Sequence, residues 1–237
     1  MTNTSGRLQS SRDYTIKGVF RMLGLSHDTR LRQALTLYLI TDERLDQASI
    51  LDRVEQALAG GVTAVQLRRK QEDAKNQIEL GRQLRLLTRR YQALYIVNDR
   101  IDIALITEAD GVHLGQDDIN CGEARRLIGD SMLIGISCHS LEEAWQAKKD
   151  GADYLGVGSV NPTKTKANAI YTPLKEVQRI VQQVQLPTVA IGGIQSAQAR
   201  SIRQTGVDGI AVVSAIMQAD SSYKAAQELL VGTPFMP

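Results

Sequence analysis

From Thr36 onward the chain alternates between short apolar runs and amphipathic stretches, and the count of those runs is what most limits its fold. The runs lie at 36–41 (TLYLIT), 63–67 (TAVQL), 94–98 (LYIVN), 111–114 (GVHL), 132–137 (MLIGIS), 154–160 (YLGVGSV), 187–192 (PTVAIG) and 208–213 (DGIAVV). Runs this short, rich in Val, Ile and Tyr, read as strands. Each is apolar on both faces, as expected of a parallel sheet covered by helices. Between them lie helical patterns at 50–61, 75–90, 122–129, 141–150, 174–184, 196–205 and 221–231, with 100–108 (RIDIALITE) as a further crossover. In 50–61 the residues Ile50, Leu51, Val54, Ala57 and Leu58 share a stripe, and Gly60-Gly61 ends the helix. Ser140 and Ser196 are placed to cap the helices that follow them. Open doubly wound sheets usually stop at five or six strands, so eight strand-and-helix units predict an α/β fold of the closed (β/α)8 TIM-barrel type.

The alternation divides the chain into a TIM-barrel catalytic domain at 36–231, a basic N-terminal extension at 1–35 and a C-terminal tail at 232–237. The extension carries Arg7, Arg12, Lys17, Arg21, Arg30 and Arg32 against Asp13 and Asp28, and YTIKGVFRMLG (14–24) reads as an extra helix packed on the body. It has few aromatics and no dense basic run, so neither a nucleic acid nor a membrane is expected as partner. No apolar stretch approaches the roughly 18 residues of a membrane span, and MTNTSGRLQSSRDY lacks the apolar segment of a secretory signal. Two cysteines, Cys121 and Cys138, imply no disulfide framework, which favours a reducing, cytoplasmic location. Nothing decides between a monomer and a homo-oligomer.

In such a barrel the active site lies at the C-terminal ends of the strands. The segment IVNDRIDIALITEADGVHLGQDD (96–118) puts Asp99 past the third run and Asp117 and Asp118 past the fourth. Carboxylates from neighbouring strand ends suit a hard cation such as Mg²⁺, which takes one or two of them plus substrate phosphate oxygens. Asp99 could instead cap a helix, and Asp117 has the stronger claim to face solvent. The second run leads into Gln66, Arg68, Arg69 and Lys70; alternation along a strand turns Arg68 and Lys70 one way and Arg69 another. With Lys166, beyond the sixth run, Arg68 and Lys70 form a cationic set suited to a diphosphate. Gly192-Gly193 after run seven and Val213-Ser214 after run eight offer backbone amides, and loops at those positions commonly hold a phosphate. Two anion sites at one mouth suggest two phosphorylated substrates. Ser137, Cys138 and His139 close run five, and Asn98 closes run three.

VQLRRK, YIVNDR, DGVHLGQDD, GISCHS, GADYLGVGSVNPTKTK, TVAIGGI and GIAVVSAI follow one another in this order. Together they resemble the thiamine-phosphate synthase (thiamin phosphate pyrophosphorylase) family, over about residues 36–218. The resemblance implies a transferase that joins 4-amino-2-methyl-5-hydroxymethylpyrimidine diphosphate to a thiazole phosphate, or its carboxylated form, releasing pyrophosphate and giving thiamine monophosphate. It implies that Gln66, Arg68, Lys70, Asn98, Ser137 and Lys166 bind the pyrimidine diphosphate and that Asp99 and Asp118 hold Mg²⁺. It assigns Thr163, Thr165, Gly193, Val213 and Ser214 to the thiazole phosphate. Arg68, Lys70, Ser137 and Lys166 would stabilise the departing pyrophosphate, with no covalent enzyme intermediate.

The chain departs from the family pattern at Arg69, where Glu is frequent, at Cys138, where Thr is usual, and at Asn161, where an aromatic is common; ANAIY follows Lys166 as an apparent insertion. Three other readings compete. A thiazole tautomerase of the same barrel family relies on a His near the end of strand five, and His139 is present, but such an enzyme has no need of Arg68, Lys70, Asp99 and Asp118. A Schiff-base aldolase would need Lys166 in a desolvated pocket, which a Thr-rich loop does not suggest. A non-catalytic regulator would bind DNA through the basic arm. His113 and His139 read as hydrogen-bonded barrel residues.

Overall fold

Eight strands close on themselves because each is flanked on both sides by a parallel neighbour. The computed structural model describes residues 27–162, 170–231 and 233. In chain order its elements are α1 (His27–Ala34), β1 (Leu37–Ile40), α2 (Gln47–Ala59), β2 (Ala64–Leu67), α3 (Ala74–Arg90), β3 (Leu94–Asn98), α4 (Ile101–Ile106), β4 (Gly111–Leu114), α5 (Cys121–Ile128), β5 (Leu133–Cys138), α6 (Leu141–Lys149), β6 (Tyr154–Val157), α7 (Leu174–Val184), β7 (Thr188–Ile191), α8 (Ser196–Arg203), β8 (Gly209–Val212), α9 (Ser214–Met217) and α10 (Ser222–Leu230). Strand order in the barrel is sequence order, and Leu37 pairs with Ile210 to join β1 to β8. The helix expected at 14–24 lies outside the described residues.

Alternation along each strand sorts side chains into two layers. Leu37, Leu39, Val65, Tyr95, Val97 and Ile134 pack outward with the helices. Tyr38, Ile40, Ala64, Leu94, Ile96 and Tyr154 point inward and fill the barrel together with Leu31 of α1 and Leu35 just after it. The expectation of strands apolar on both faces is therefore only half met. The inner face also carries Gln66, His113 and Ser137, and the two inward tyrosines meet through their hydroxyls. These polar tips are tolerated because they satisfy one another.

The N-terminal ends of the strands share one device. The residue just before each even-numbered strand accepts a hydrogen bond from a backbone N–H in the odd strand before it. Thr63 Oγ1 accepts from Leu37, Asp110 from Tyr95, Asp153 from Ile134 and Asp208 from Thr188, at 3.0, 2.7, 2.7 and 2.8 Å. The three aspartates are each paired with an arginine, Arg85, Arg125 and Arg32 respectively.

Helix starts follow local capping chemistry. Ser140 caps α6 as expected, accepting from the Glu143 N–H. Asp46 caps α2 through Ser49, so that helix begins three residues before the apolar stripe does. At α8 the cap is Gln195, which forms a capping box with Gln198, so Ser196 is the first helical residue. No helix among the described residues is long and apolar enough to cross a membrane.

Candidate active site

The C-terminal ends of the strands surround a cleft of about 820 Å³, counted out to open solvent. Arg68, Ser137, His139, Gly193, Val213 and Ser214 line it, with Ile170 on its rim. A second recess is lined by Lys70, Asn98 and Asp99. Gln66 lies beneath the mouth, 2% exposed, with its side chain turned into the barrel. The sequence-predicted set thus divides into a cleft that holds Arg68, Ser137 and the amide group, and a recess that holds Lys70 and Asp99. Thr163, Thr165 and Lys166 lie outside the described residues. Ser159 N–H donates to Ile170 O and Thr172 N–H donates to Ser159 O, both at 2.8 Å.

Arg68 and Lys70 do leave strand two away from Arg69, yet they meet different carboxylates. Arg68 contacts Glu43 at 3.3 Å, and Lys70 Nζ contacts Asp99 at 2.7 Å. Arg69 forms a two-pronged pair with Glu72 and donates to the Leu45 carbonyl, so it braces the loop. Glu43 escaped the sequence reading, although the first run ends in Asp42-Glu43, the same acidic signal that marked runs three and four. Its other oxygen accepts from the Lys70 N–H at 3.2 Å, so it touches both members of the cationic pair. Asp42, 3% exposed, is tied to Arg44 and Gln218.

Asp99 and Asp118 come together as expected. Burial pushes the Asp99 carboxyl above its ordinary range; Asp118 beside it acts in the same direction and Lys70 opposes both. Asp99 sits at φ +61°, a left-handed conformation that Asp tolerates better than most residues, with its N–H held by the His113 carbonyl at 2.9 Å. Asp118 is fixed by the Gly115 N–H at 2.7 Å, whereas Asp117 is exposed. Two adjacent carboxylates, with Asp99 desolvated, are a donor set that a hard divalent cation fits. Among the described residues no group of three or more His, Cys, Asp or Glu converges, so the remaining ligands of such a cation would be water and substrate oxygens.

The amide group is crowded into shape. At Gly192 (φ +106°) a Cβ would stand 2.0 Å from Ser159 Oγ, and at Gly193 (φ +60°) it would stand 2.3 Å from the Pro162 carbonyl, so only glycine fits. Asn161, one of the departures, uses its backbone N–H to hold the Gly192 carbonyl at 3.1 Å. Cys138, another, faces the strand–helix layer away from the cleft, where burial pushes its thiol up to about 12; Cys121 is pushed up to about 11 for the same reason. His139 Nδ1 and N–H both engage Glu143, at the start of α6.

The chain matches the family model for thiamine monophosphate synthase over residues 37–216. It is 50% identical over 199 residues to the thiamine-phosphate synthase of Pyrococcus furiosus, covering 84% of this chain and 95% of that protein. To the enzyme of the same name from Methanobrevibacter smithii it is 43% identical over 196 residues, 83% of this chain and 94% of the other. A solved thiamine phosphate pyrophosphorylase from Pyrococcus furiosus superposes with a TM-score of 0.78 at 47% identity, covering 84% of this chain and 95% of that one.

Proposed function

The chain belongs to the thiamine monophosphate synthase family and is a transferase of that kind; on that premise we propose how its own residues carry the reaction. The substrates are the pyrimidine diphosphate and the thiazole phosphate named above, and the sites are those of the cleft and the second recess. Gln66 and Asn98 hold the pyrimidine. Arg68, Lys70, Ser137 and Lys166 surround the diphosphate. Thr163, Thr165, Gly193, Val213 and Ser214 hold the thiazole phosphate, and the diglycine turn supports this role because it lets backbone amides approach an anion closely. Asp99 and Asp118 would hold Mg²⁺, which when bound supplies charge neutralisation to a departing diphosphate.

The observation that carries this reading is the Asp99–Asp118 pair with Lys70 2.7 Å from Asp99, together with a cleft holding Arg68 and Ser137. Cleavage of the carbon–diphosphate bond gathers negative charge on the leaving oxygens, and preorganised cations and donors lower that barrier. Lys70 exchanges Asp99 for a diphosphate oxygen, and Arg68 exchanges Glu43. The thiazole nitrogen then attacks the methylene carbon, so no side chain has to act as nucleophile. Residues 36–231 supply all of these groups and constitute the catalytic domain. The buried, unpaired thiols Cys121 and Cys138 support a reducing compartment for the protein.

The test is thiamine phosphate formation from the two substrates, with Mg²⁺ and after its removal by a chelator, in the wild type and in Asp99→Ala. Chelation is expected to abolish turnover. Asp99→Ala is expected to lower kcat by about 10²-fold or more, the scale of losing one charge-stabilising group. Undiminished turnover in both would overturn the mechanism.

A further inference from the structure

Gln66 and Ser137 stand on different strands, yet a continuous hydrogen-bonded chain joins them through the barrel interior. Gln66 Nε2 donates to the Tyr38 hydroxyl at 2.8 Å. The Tyr38 and Tyr154 hydroxyls are 3.0 Å apart, Tyr154 is 3.1 Å from His113 Nδ1, and His113 Nε2 is 3.0 Å from Ser137 Oγ. Five residues from β1, β2, β4, β5 and β6 take part. The barrel makes room for them: a Cβ on Gly135 would stand 2.1 Å from the Tyr154 ring and 2.5 Å from His113 Nδ1, and one on Gly156 would stand 2.9 Å from His113 Cε1.

A serine 3.0 Å from a histidine has the geometry of a nucleophile and its base. Counting protons along the chain gives the opposite assignment. Tyr38 accepts from Gln66, and the Tyr154 hydroxyl is its other partner among the described residues, so its single proton goes to Tyr154. Tyr154 then gives its own proton to His113 Nδ1, which must be unprotonated to accept it. Burial raises both phenols above their ordinary value, which keeps each hydroxyl protonated, as this order requires. The imidazole is left with its hydrogen on Nε2, aimed at Ser137 Oγ. We infer that this chain fixes His113 as the neutral Nε2–H tautomer, making it a positioning donor to Ser137, so that Ser137 points its own hydroxyl proton at the departing diphosphate. Gln66 sets the direction: with its amide reversed, every bond would reverse and Ser137 would face a base. The same orientation leaves Gln66 Oε1 to accept from the exocyclic amine of the pyrimidine.

The last step rests on Ser137 as a diphosphate contact, but the order of the chain is readable without substrate. The protein has three histidines, so nitrogen-15 spectra of histidine-labelled resting enzyme are assigned with His113→Gln. The expected result is the Nε2–H tautomer for His113; the Nδ1–H tautomer overturns the inference. His113→Gln retains an Nε2 donor but has no base, so it should stay within about tenfold of wild-type kcat, whereas loss of a general base costs about 10²–10⁴-fold. A fall into that range counts against the positioning role. Tyr154→Phe, checked for folding by circular dichroism, should let the Nδ1–H form appear; an unchanged single tautomer overturns the relay. Wild-type product formation reports separately on the proposed function. If product forms but His113 carries its proton on Nδ1, the chain fails alone. If the Nε2–H form is found and no thiamine phosphate is made, the substrate assignment fails and the proton order stands.

Discussion

Both cations that strand two contributes to the mouth are already paired with carboxylates of the chain, and the two pairs differ in kind. Lys70 meets Asp99, a residue with its own proposed task. Glu43 touches Arg68 and the Lys70 backbone and has no other assigned role. Its side chain is 31% exposed, so the pair with Arg68 is a partly solvated one, of the order of 0.2–1 kcal/mol. In the proposed mechanism, a diphosphate arriving at Arg68 displaces Glu43. Glu43→Gln keeps an acceptor for the Lys70 N–H and removes the competing charge. It is expected to lower KM for the pyrimidine diphosphate about 1.5- to 5-fold, the conversion of that energy, with kcat little changed; a raised KM in steady-state assays would count against competition. At this scale the site was partly legible. Asp99, Asp118, Arg68 and Lys70 announce themselves because strand-end chemistry is local. His113 was legible as a hydrogen-bonded barrel residue, and it is one. Its partners Tyr38 and Tyr154 were not, because a tyrosine in an apolar run reads as core, and whether its hydroxyl finds a partner depends on register across the barrel.

Strands and helices were legible to within a few residues, because the apolar runs are short and sharply bounded. Disagreements fall at ends, where one hydrogen bond decides: Asp46 starts α2 early, and Gln195 takes the cap expected of Ser196. The four-residue helix α9 follows the last strand without an apolar stripe of its own to reveal it. What the runs concealed is the acceptor placed before every second strand, since an aspartate at a strand boundary reads as turn chemistry. Asp153 is one of these: it accepts the Ile134 N–H and pairs with Arg125. Asp153→Ala leaves a strand N–H without its partner and an arginine without its charge mate. The cost of an orphaned buried donor is about 1–3 kcal/mol, so the urea midpoint should fall accordingly. Because Asp153 precedes its strand and the cleft lies beyond the other end, kcat/KM at low temperature should hold. A stability unchanged within about 0.5 kcal/mol would mean the acceptor is dispensable.

At the scale of the whole molecule, the barrel has a working end and a closed end. The eight-fold count predicted closure, and closure gathers strand ends distant in sequence into one mouth. The division of the chain at residue 35, by contrast, follows composition, and packing draws the line elsewhere. Helix α1 belongs to the barrel: Leu31 and Leu35 are 3% and 0% exposed within its interior cluster, and Arg32 reaches Asp208 with two bonds of 3.0 Å. A charge pattern could not show this, because the same Arg32 that makes the segment look like a basic arm spends its charge on a strand-start aspartate. Two shortened chains separate the parts. Starting at Asp28 removes most of the basic excess and should leave kcat/KM unchanged. Starting at Thr36 removes both leucines and the Arg32 pair. Burying one such side chain contributes about 1.5–3 kcal/mol, and each kcal/mol moves Tm by about 2–4 °C in a domain of this size. The longer deletion should therefore melt roughly 6–24 °C lower while still making product below its transition. If the shorter deletion abolished turnover, the catalytic unit would have to extend into the arm, and the assignment of all the chemistry to residues 36–231 would be wrong.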